Sequence, residues 1–228
     1  MSSFLLCLVT DRRRLSARIG CDAESSAEWL IRQVRAAARA GVDLVHVREA
    51  DLPAATVVAL TRRALDAVRG TRARVVVNDR VDVAIAAGAH GVHLKSSSIA
   101  PSVVRTLLAG DALVGASVHD AARAASLAID VDYFIAGTVS DSRSKPLGWP
   151  TLGMTGLAAI TRAASGVPVL GIGGLDAGSA ADLVRAGARG LAAIDAFIPA
   201  VEPARFEGRV HETVTTLRLA FDSLEHVT

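Results

Sequence analysis

Short runs of β-branched and other apolar residues recur along the chain, each closed by polar residues or glycine and followed by an alanine- and leucine-rich stretch of helical period. Eight runs stand out: Leu5–Asp11, Asp43–Glu49, Ala73–Asp79, Gly91–Lys95, Ala112–Val118, Tyr133–Gly137, Pro168–Gly174 and Gly190–Asp195. Strands alternating with helices predict parallel βαβ units, because parallel neighbours need a crossover between them. Each run is almost continuously hydrophobic, so burial on both faces is expected, as in a barrel wall or a doubly wound sheet. Eight consecutive units favour the barrel, an α/β fold of the (β/α)8 TIM type, with residues 1–228 as one domain. Beyond the eighth run, Phe206, Val210, Val214, Leu217 and Phe221 fall at helical spacing, which predicts an amphipathic covering helix over about residues 203–224.

Three segments enter their strands in the same way: ARAGVDLVHV, AAGAHGVHL and RAGARGLAAI each close an alanine-rich helix with glycine. Gly41, Gly88 and Gly187 are therefore read as left-handed helix caps at the bottom of the barrel, away from chemistry. Barrel sites are built from the loops at the opposite strand ends. The informative residues there are Asp11, His46, Arg48, Asn78, Asp79, His93, Ser117, His119, Lys145, Gly173, Gly174 and Asp195.

Composition narrows the class. Of 228 residues, 51% are hydrophobic, enough apolar surface to offset the entropy of ordering. Lys+Arg 25 against Asp+Glu 23 leaves little net charge, and Arg12-Arg13-Arg14 is the one basic run. With aromatics at 4%, base stacking has few platforms, so no nucleic-acid partner is expected. Cys7 and Cys21 form no C-x-x-C pair, which argues against a zinc knuckle or a disulfide framework and for a reduced cytoplasmic compartment. Phe4–Val9 lacks the flanks of a targeting segment, and the uncharged run Pro146–Thr161 is shorter than the roughly 18 apolar residues of a membrane span. A cytoplasmic protein without a membrane partner is expected.

The candidate site residues each carry two readings. Gly173 and Gly174, at the end of the seventh run, suit a backbone phosphate cradle, the place where barrels often bind phosphate, or a simple tight turn. Asp195, after the eighth run, repels a phosphate unless it points away or caps the next helix. Arg48 shares a strand face with His46, and its guanidinium needs an internal acid or an anionic ligand. Ser117 and His119 share another face; His119 is either a general acid/base or a surface histidine capping a helix with Asp120. Asp79, following Asn78, is a magnesium ligand or a helix cap, and the next loop offers it Lys95, Ser96, Ser97 and Ser98, none of them acidic. Lys145 either reaches a phosphate or is a solvated surface charge.

The ordered segments LVTD (Leu8–Asp11), HVRE (His46–Glu49), NDRVDVA (Asn78–Ala84), GAHGVHL (Gly88–Leu94), GASVH (Gly115–His119), DYFIAGTV (Asp132–Val139), SKP (Ser144–Pro146) and PVLGIGG (Pro168–Gly174) resemble one family. It is the family of thiamin phosphate synthase and thiazole tautomerase (TenI-like) barrels, and the likeness runs over about residues 4–200. The resemblance implies a (β/α)8 barrel, in agreement with the independent count of runs.

Within that family the departures favour the tautomerase. Synthases couple a pyrimidine pyrophosphate to thiazole phosphate with Mg²⁺; they usually carry a lysine where this chain has Ala50 and an aspartate where it has Ser98. The tautomerase pattern instead matches His46 and Arg48, the serines 96–98, and Ser117 with His119. It implies aromatisation of a thiazole carboxylate phosphate without metal or other cofactor: His119 moves the proton, and Arg48 orients the carboxylate. Gly173, Gly174 and Lys145 hold the phosphate, with His46, Asn78, Asp79 and Ser117 nearby. Under the synthase alternative, Asp79 holds Mg²⁺; a non-catalytic phosphate-ligand-binding member is the other alternative. Asp195, where relatives commonly have serine, and the loop SDSRSKPLGW leave the substrate's identity open, and a homodimer is also open.

Overall fold

The computed structural model describes residues 4–141, 146 and 148–225. Eight parallel strands close on one another in sequence order: β1 Leu5–Val9, β2 Leu44–Val47, β3 Arg74–Asn78, β4 Gly91–Leu94, β5 Leu113–Val118, β6 Tyr133–Gly137, β7 Val169–Ile172 and β8 Gly190–Ala193. Leu5 pairs with Gly190, so the last strand hydrogen-bonds the first and no edge remains. Each strand lies within its expected run. Most stop short of its polar end because those residues turn outward into the βα loops.

Helices α1 (Arg12–Ile19), α2 (Ser26–Ala40), α3 (Ala54–Ala67), α4 (Val81–Ala87), α5 (Pro101–Leu107), α6 (Ala121–Leu127), α7 (Gly153–Ala163) and α8 (Ala180–Arg185) connect the strands, and α9 (Phe206–Glu225) follows them. Gly41 and Gly88 end α2 and α4 in the left-handed conformation, as their position in the sequence predicts. Gly187, one residue beyond the cap of α8, also has positive φ. Asp11 caps α1 by accepting from the Arg14 N–H, and Asp120 caps α6 by accepting from the Arg123 N–H. A 3-10 turn over Ala177–Ser179, closed by an Asp176 capping box, leads into α8.

Period-two alternation divides the strand side chains between two packed layers. One set, including Leu6, Leu8, Val45, Val75, Val92, Val114 and Phe134, meets the surrounding helices. The other fills the lumen, where Cys7, Val9, Leu44, Tyr133, Ile135, Leu170 and Ala192 pack together. The predicted covering helix is present as α9, lying along α2 with Phe206, Val210, Val214, Leu217 and Phe221 buried. Phe221 stacks on Phe4 with ring centroids 4.5 Å apart, and Phe206 meets Trp29 edge-on at 5.5 Å. Arg218 donates to the carbonyls of Phe4 at 2.6 Å and Gly41 at 2.7 Å and to the Asp43 carboxylate, tying α9 to the strand starts. Among the described residues, no helix is long and apolar enough to cross a membrane.

Candidate active site

At the C-terminal ends of the strands the lumen widens into a cavity of about 800 Å³. Its wall has two chemically different halves. Strands β2 to β5 contribute His46, Asn78, His93 and Ser117, whereas β6, β7, the end of β8 and β1 contribute Ile135, Ile172, Ile194 and Val9. A flat heterocycle placed there meets an apolar surface on one side and hydrogen-bonding groups on the other.

Among the fully buried side-chain polar atoms of the polar half, one has no partner. The His46 Nε2–H donates to Asn78 Oδ1 at 3.2 Å, which leaves Nδ1 bare and buried without a partner. The His46 ring lies against that of His93, centroids 4.6 Å apart. His93 joins the Ser117 hydroxyl through Nε2 at 2.9 Å and the Tyr133 hydroxyl through Nδ1 at 3.2 Å. Tyr133 is the only tyrosine of the chain, and it crosses the lumen because β5 has glycine at 115: a Cβ there would sit 2.1 Å from the phenol ring. Burial lowers the His46 pKa to about 3, aided by the nearby Arg48 charge and opposed by the Asn78 hydrogen bond. Burial also pushes His93 well below the usual histidine range, with the His46 charge adding to the effect. Burial first, then Cys7 and Asp132, pushes the Tyr133 phenol up. The lumen is therefore neutral near pH 7, and the positive charge of the site stands at the rim.

At that rim, His119 is exposed and its Nδ1–H donates to the Gly137 carbonyl, so it is not the helix cap; Asp120 is. A carbonyl only accepts, so in the neutral ring the other nitrogen, Nε2, carries the lone pair, and no described residue bonds to it. Arg48 lines the same cavity and pairs with no acid among the described residues, which removes the internal-acid reading of its guanidinium. The acid beside it, Glu49, faces elsewhere: it accepts from Thr10 Oγ1 at 2.7 Å and from the Arg12 N–H at 3.1 Å, joining the ends of β1 and β2.

Asp79 adopts φ 64°, with its N–H on the His93 carbonyl at 2.8 Å, and it does not cap α4. Its carboxylate is taken by Lys95, whose Nζ lies 2.5 Å from Oδ2, and by the Ser98 hydroxyl on Oδ1. Burial opposes ionisation of Asp79, but the Lys95 and Ser98 hydrogen bonds outweigh it and hold the pKa below the usual carboxylate range. Magnesium is usually held by one or two carboxylates together with substrate phosphates. The one carboxylate available to it in the synthase reading, Asp79, is already paired with Lys95 and Ser98. As paired, these residues fit the metal poorly.

A second recess of about 520 Å³ adjoins the cavity and shares Arg14, Ile172, Gly173 and Ile194 with it. Gly173 and Gly174 have φ 104° and 64°, and a Cβ on either would collide with Thr138 or with the Asp141 carbonyl. These positions require glycine for both reasons. Asp195 also lines the recess, but its two oxygens accept from the Arg14 guanidinium at 2.8 and 2.9 Å, so its charge is countered. The structure thus gathers eleven of the twelve residues named from the sequence (Asp11, His46, Arg48, Asn78, Asp79, His93, Ser117, His119, Gly173, Gly174 and Asp195) around one barrel end. Lys145 lies outside the described residues. Sequence reasoning missed Arg14, Tyr133 and Glu49 as contributors. All three lay in segments the sequence singled out, the Arg12-Arg13-Arg14 run, DYFIAGTV and HVRE, but nothing local marked their contacts.

A family model described as thiamine monophosphate synthase matches residues 17–197. The chain belongs to the thiamine monophosphate synthase family. Among its curated relatives, thiamine-phosphate synthase of Roseiflexus castenholzii is 38% identical over 197 residues, 86% of this chain and 82% of that protein. Thiamine-phosphate synthase of Anaeromyxobacter dehalogenans is 39% identical over 83% of this chain and 85% of its own. Of solved structures, thiamine phosphate pyrophosphorylase from Pyrococcus furiosus superposes with a TM-score of 0.77 at 25% identity, covering 97% of both chains. A 3-hexulose-6-phosphate synthase, at 19% identity and a TM-score of 0.62, shares the barrel fold. The expectation of a family barrel is met at the level of both sequence and fold.

Proposed function

We propose that this member of the family aromatises a phosphorylated thiazole carboxylate in thiamine biosynthesis, by metal-independent proton transfer through His119. The observation that carries the reading is the His119 tautomer: Gly137 holds the Nδ1 proton and leaves the Nε2 lone pair for a substrate in the cavity. In that reaction Nε2 takes a proton from one ring-system carbon, the released electron pair completes the aromatic ring, and the same nitrogen returns a proton to a second carbon. No oxidation occurs and the proton count is unchanged. Arg48 is the cation for the substrate carboxylate. The Gly173 and Gly174 amides, with Lys145, hold the phosphate, and the Arg14–Asp195 pair borders it.

A second reading, coupling of a pyrimidine pyrophosphate to thiazole phosphate, is favoured by the names of the curated relatives, which support it over the tautomerase. What supports the proton-transfer reading against them is this chain's own donor set: Ala50, Ser98 and an Asp79 already paired with Lys95. His119→Asn tests the role of the base. The variant is expected to keep the fold, since His119 is a rim residue, and to lose about a hundredfold or more of aromatisation rate, the usual contribution of a general base. Turnover at the wild-type rate would exclude His119 as the proton carrier.

A further inference from the structure

We propose that the Lys95 ammonium stands in for a divalent cation: seated on Asp79 and Ser98, it neutralises the carboxylate and turns its remaining N–H donors toward the substrate's anionic group. The arrangement is built as one unit. The Lys95 N–H donates to Ser98 Oγ at 2.8 Å and the Ser98 N–H returns to the Lys95 carbonyl at 3.1 Å, so a tight turn delivers ammonium and hydroxyl together. Both oxygens of Asp79 are thereby occupied, Oδ2 by Lys95 and Oδ1 by Ser98. The Asp79 N–H on the His93 carbonyl fixes the carboxylate beside that turn.

Charge and geometry then exclude a metal by two separate routes. One carboxylate and one ammonium sum to zero, so an approaching divalent cation meets no net attraction and a positive charge in its path. Where a second carboxylate would help to hold a hard cation, there is a serine hydroxyl that already donates to Asp79. An ammonium has three N–H donors, of which Asp79 uses one. The Lys95 side chain is 51% exposed and lines the same cavity as Arg48 and His119. Its free donors therefore face the space that an anionic substrate enters.

The metal half of this assignment needs no turnover to test; the substrate half rests on the function proposed above. Mn²⁺, which shares the oxygen preference of Mg²⁺, is titrated into full-length protein while its free ion is followed by electron paramagnetic resonance. Wild type is expected to leave Mn²⁺ free. The double variant Lys95→Gly with Ser98→Asp opens Asp79 and adds a carboxylate; it is expected to bind one ion at least roughly tenfold more tightly than wild type, and adding Asp79→Asn should abolish that binding. Wild-type Mn²⁺ binding that Asp79→Asn removes would overturn the proposal, and so would a folded double variant that stays empty. In EDTA, Lys95→Met is expected to raise KM for the phosphorylated substrate roughly tenfold with a smaller change in kcat. An unchanged KM would remove the substrate-holding role of Lys95, whatever the Mn²⁺ result.

Discussion

His46 and His93 are neutral, buried and in ring contact inside the barrel, and this makes the protein acid-sensitive in a defined window. In the unfolded chain both titrate near the ordinary value of about 6.5, whereas in the native state His46 titrates near 3 and His93 well below the ordinary value. Above the unfolded value both states are uncharged here and stability is complete. As pH falls through it, the unfolded chain takes up two protons that the folded chain refuses, which costs about 1.4 kcal/mol per proton per pH unit. The buried Glu49 carboxyl works in the opposite sense, because burial raises its pKa against the hydrogen bonds from Thr10 and Arg12. It therefore returns part of the loss once it takes up its proton. The net expectation is roughly 2 kcal/mol less stability at pH 5.5 than at pH 7.5, read as a lower urea midpoint. The double variant His46→Asn, His93→Gln is expected to flatten that slope, even if it is less stable throughout. Equal wild-type midpoints at the two pH values would mean that the pair ionises without unfolding.

Among the elements, α9 stands apart because it follows the eighth strand and yet is anchored as firmly as the barrel's own helices. Its apolar stripe was legible from spacing alone; its anchor was not. Arg218 is 9% exposed and satisfies the Phe4 and Gly41 carbonyls and Asp43, three groups distant in sequence, so no local pattern announces it. Arg218→Met keeps the aliphatic stem but removes the guanidinium that joins the three groups; the Gly41 carbonyl keeps its Arg72 donor, and Asp43 keeps Arg72 and the Leu6 N–H. A loss of about 1–3 kcal/mol is expected on thermal or urea unfolding, with little effect on catalysis at the opposite end of the barrel. A loss below about 0.5 kcal/mol, the size of an ordinary surface change, would show that the guanidinium is not the tie. The βα loops present the converse case. Gly173 and Gly174 were legible as a cradle, and the structure adds the reason each must be glycine, in Thr138 and the Asp141 carbonyl.

For the molecule as a whole, the fold was readable because period and order are local: eight apolar runs, helical spacers and glycine caps need no knowledge of distant contacts. The candidate site was readable to the extent that a strand end announces its residues: His119, Arg48 and Asp79 stand at the rim and Ser117 just inside it. Pairing across the barrel was not readable. The sequence reading left Asp195 as an obstacle to phosphate, and Arg14, 181 residues away, counters its charge; between adjacent strands more could be read, since Lys95 and Ser98, which take Asp79, lie in the next loop that the sequence offered it. Burial keeps the lumen histidines neutral, and Arg48, which pairs with no acid among the described residues, leaves positive charge at the rim. The most direct test uses wild-type protein in EDTA with the thiazole carboxylate phosphate tautomer, in parallel with thiazole phosphate, pyrimidine pyrophosphate and Mg²⁺. Aromatisation in the first reaction and none of the coupled product in the second is the result expected. Thiamin phosphate formed in the second reaction, with no aromatisation in the first, would contradict the proton-transfer account and assign the chain the coupling reaction for which its relatives are named.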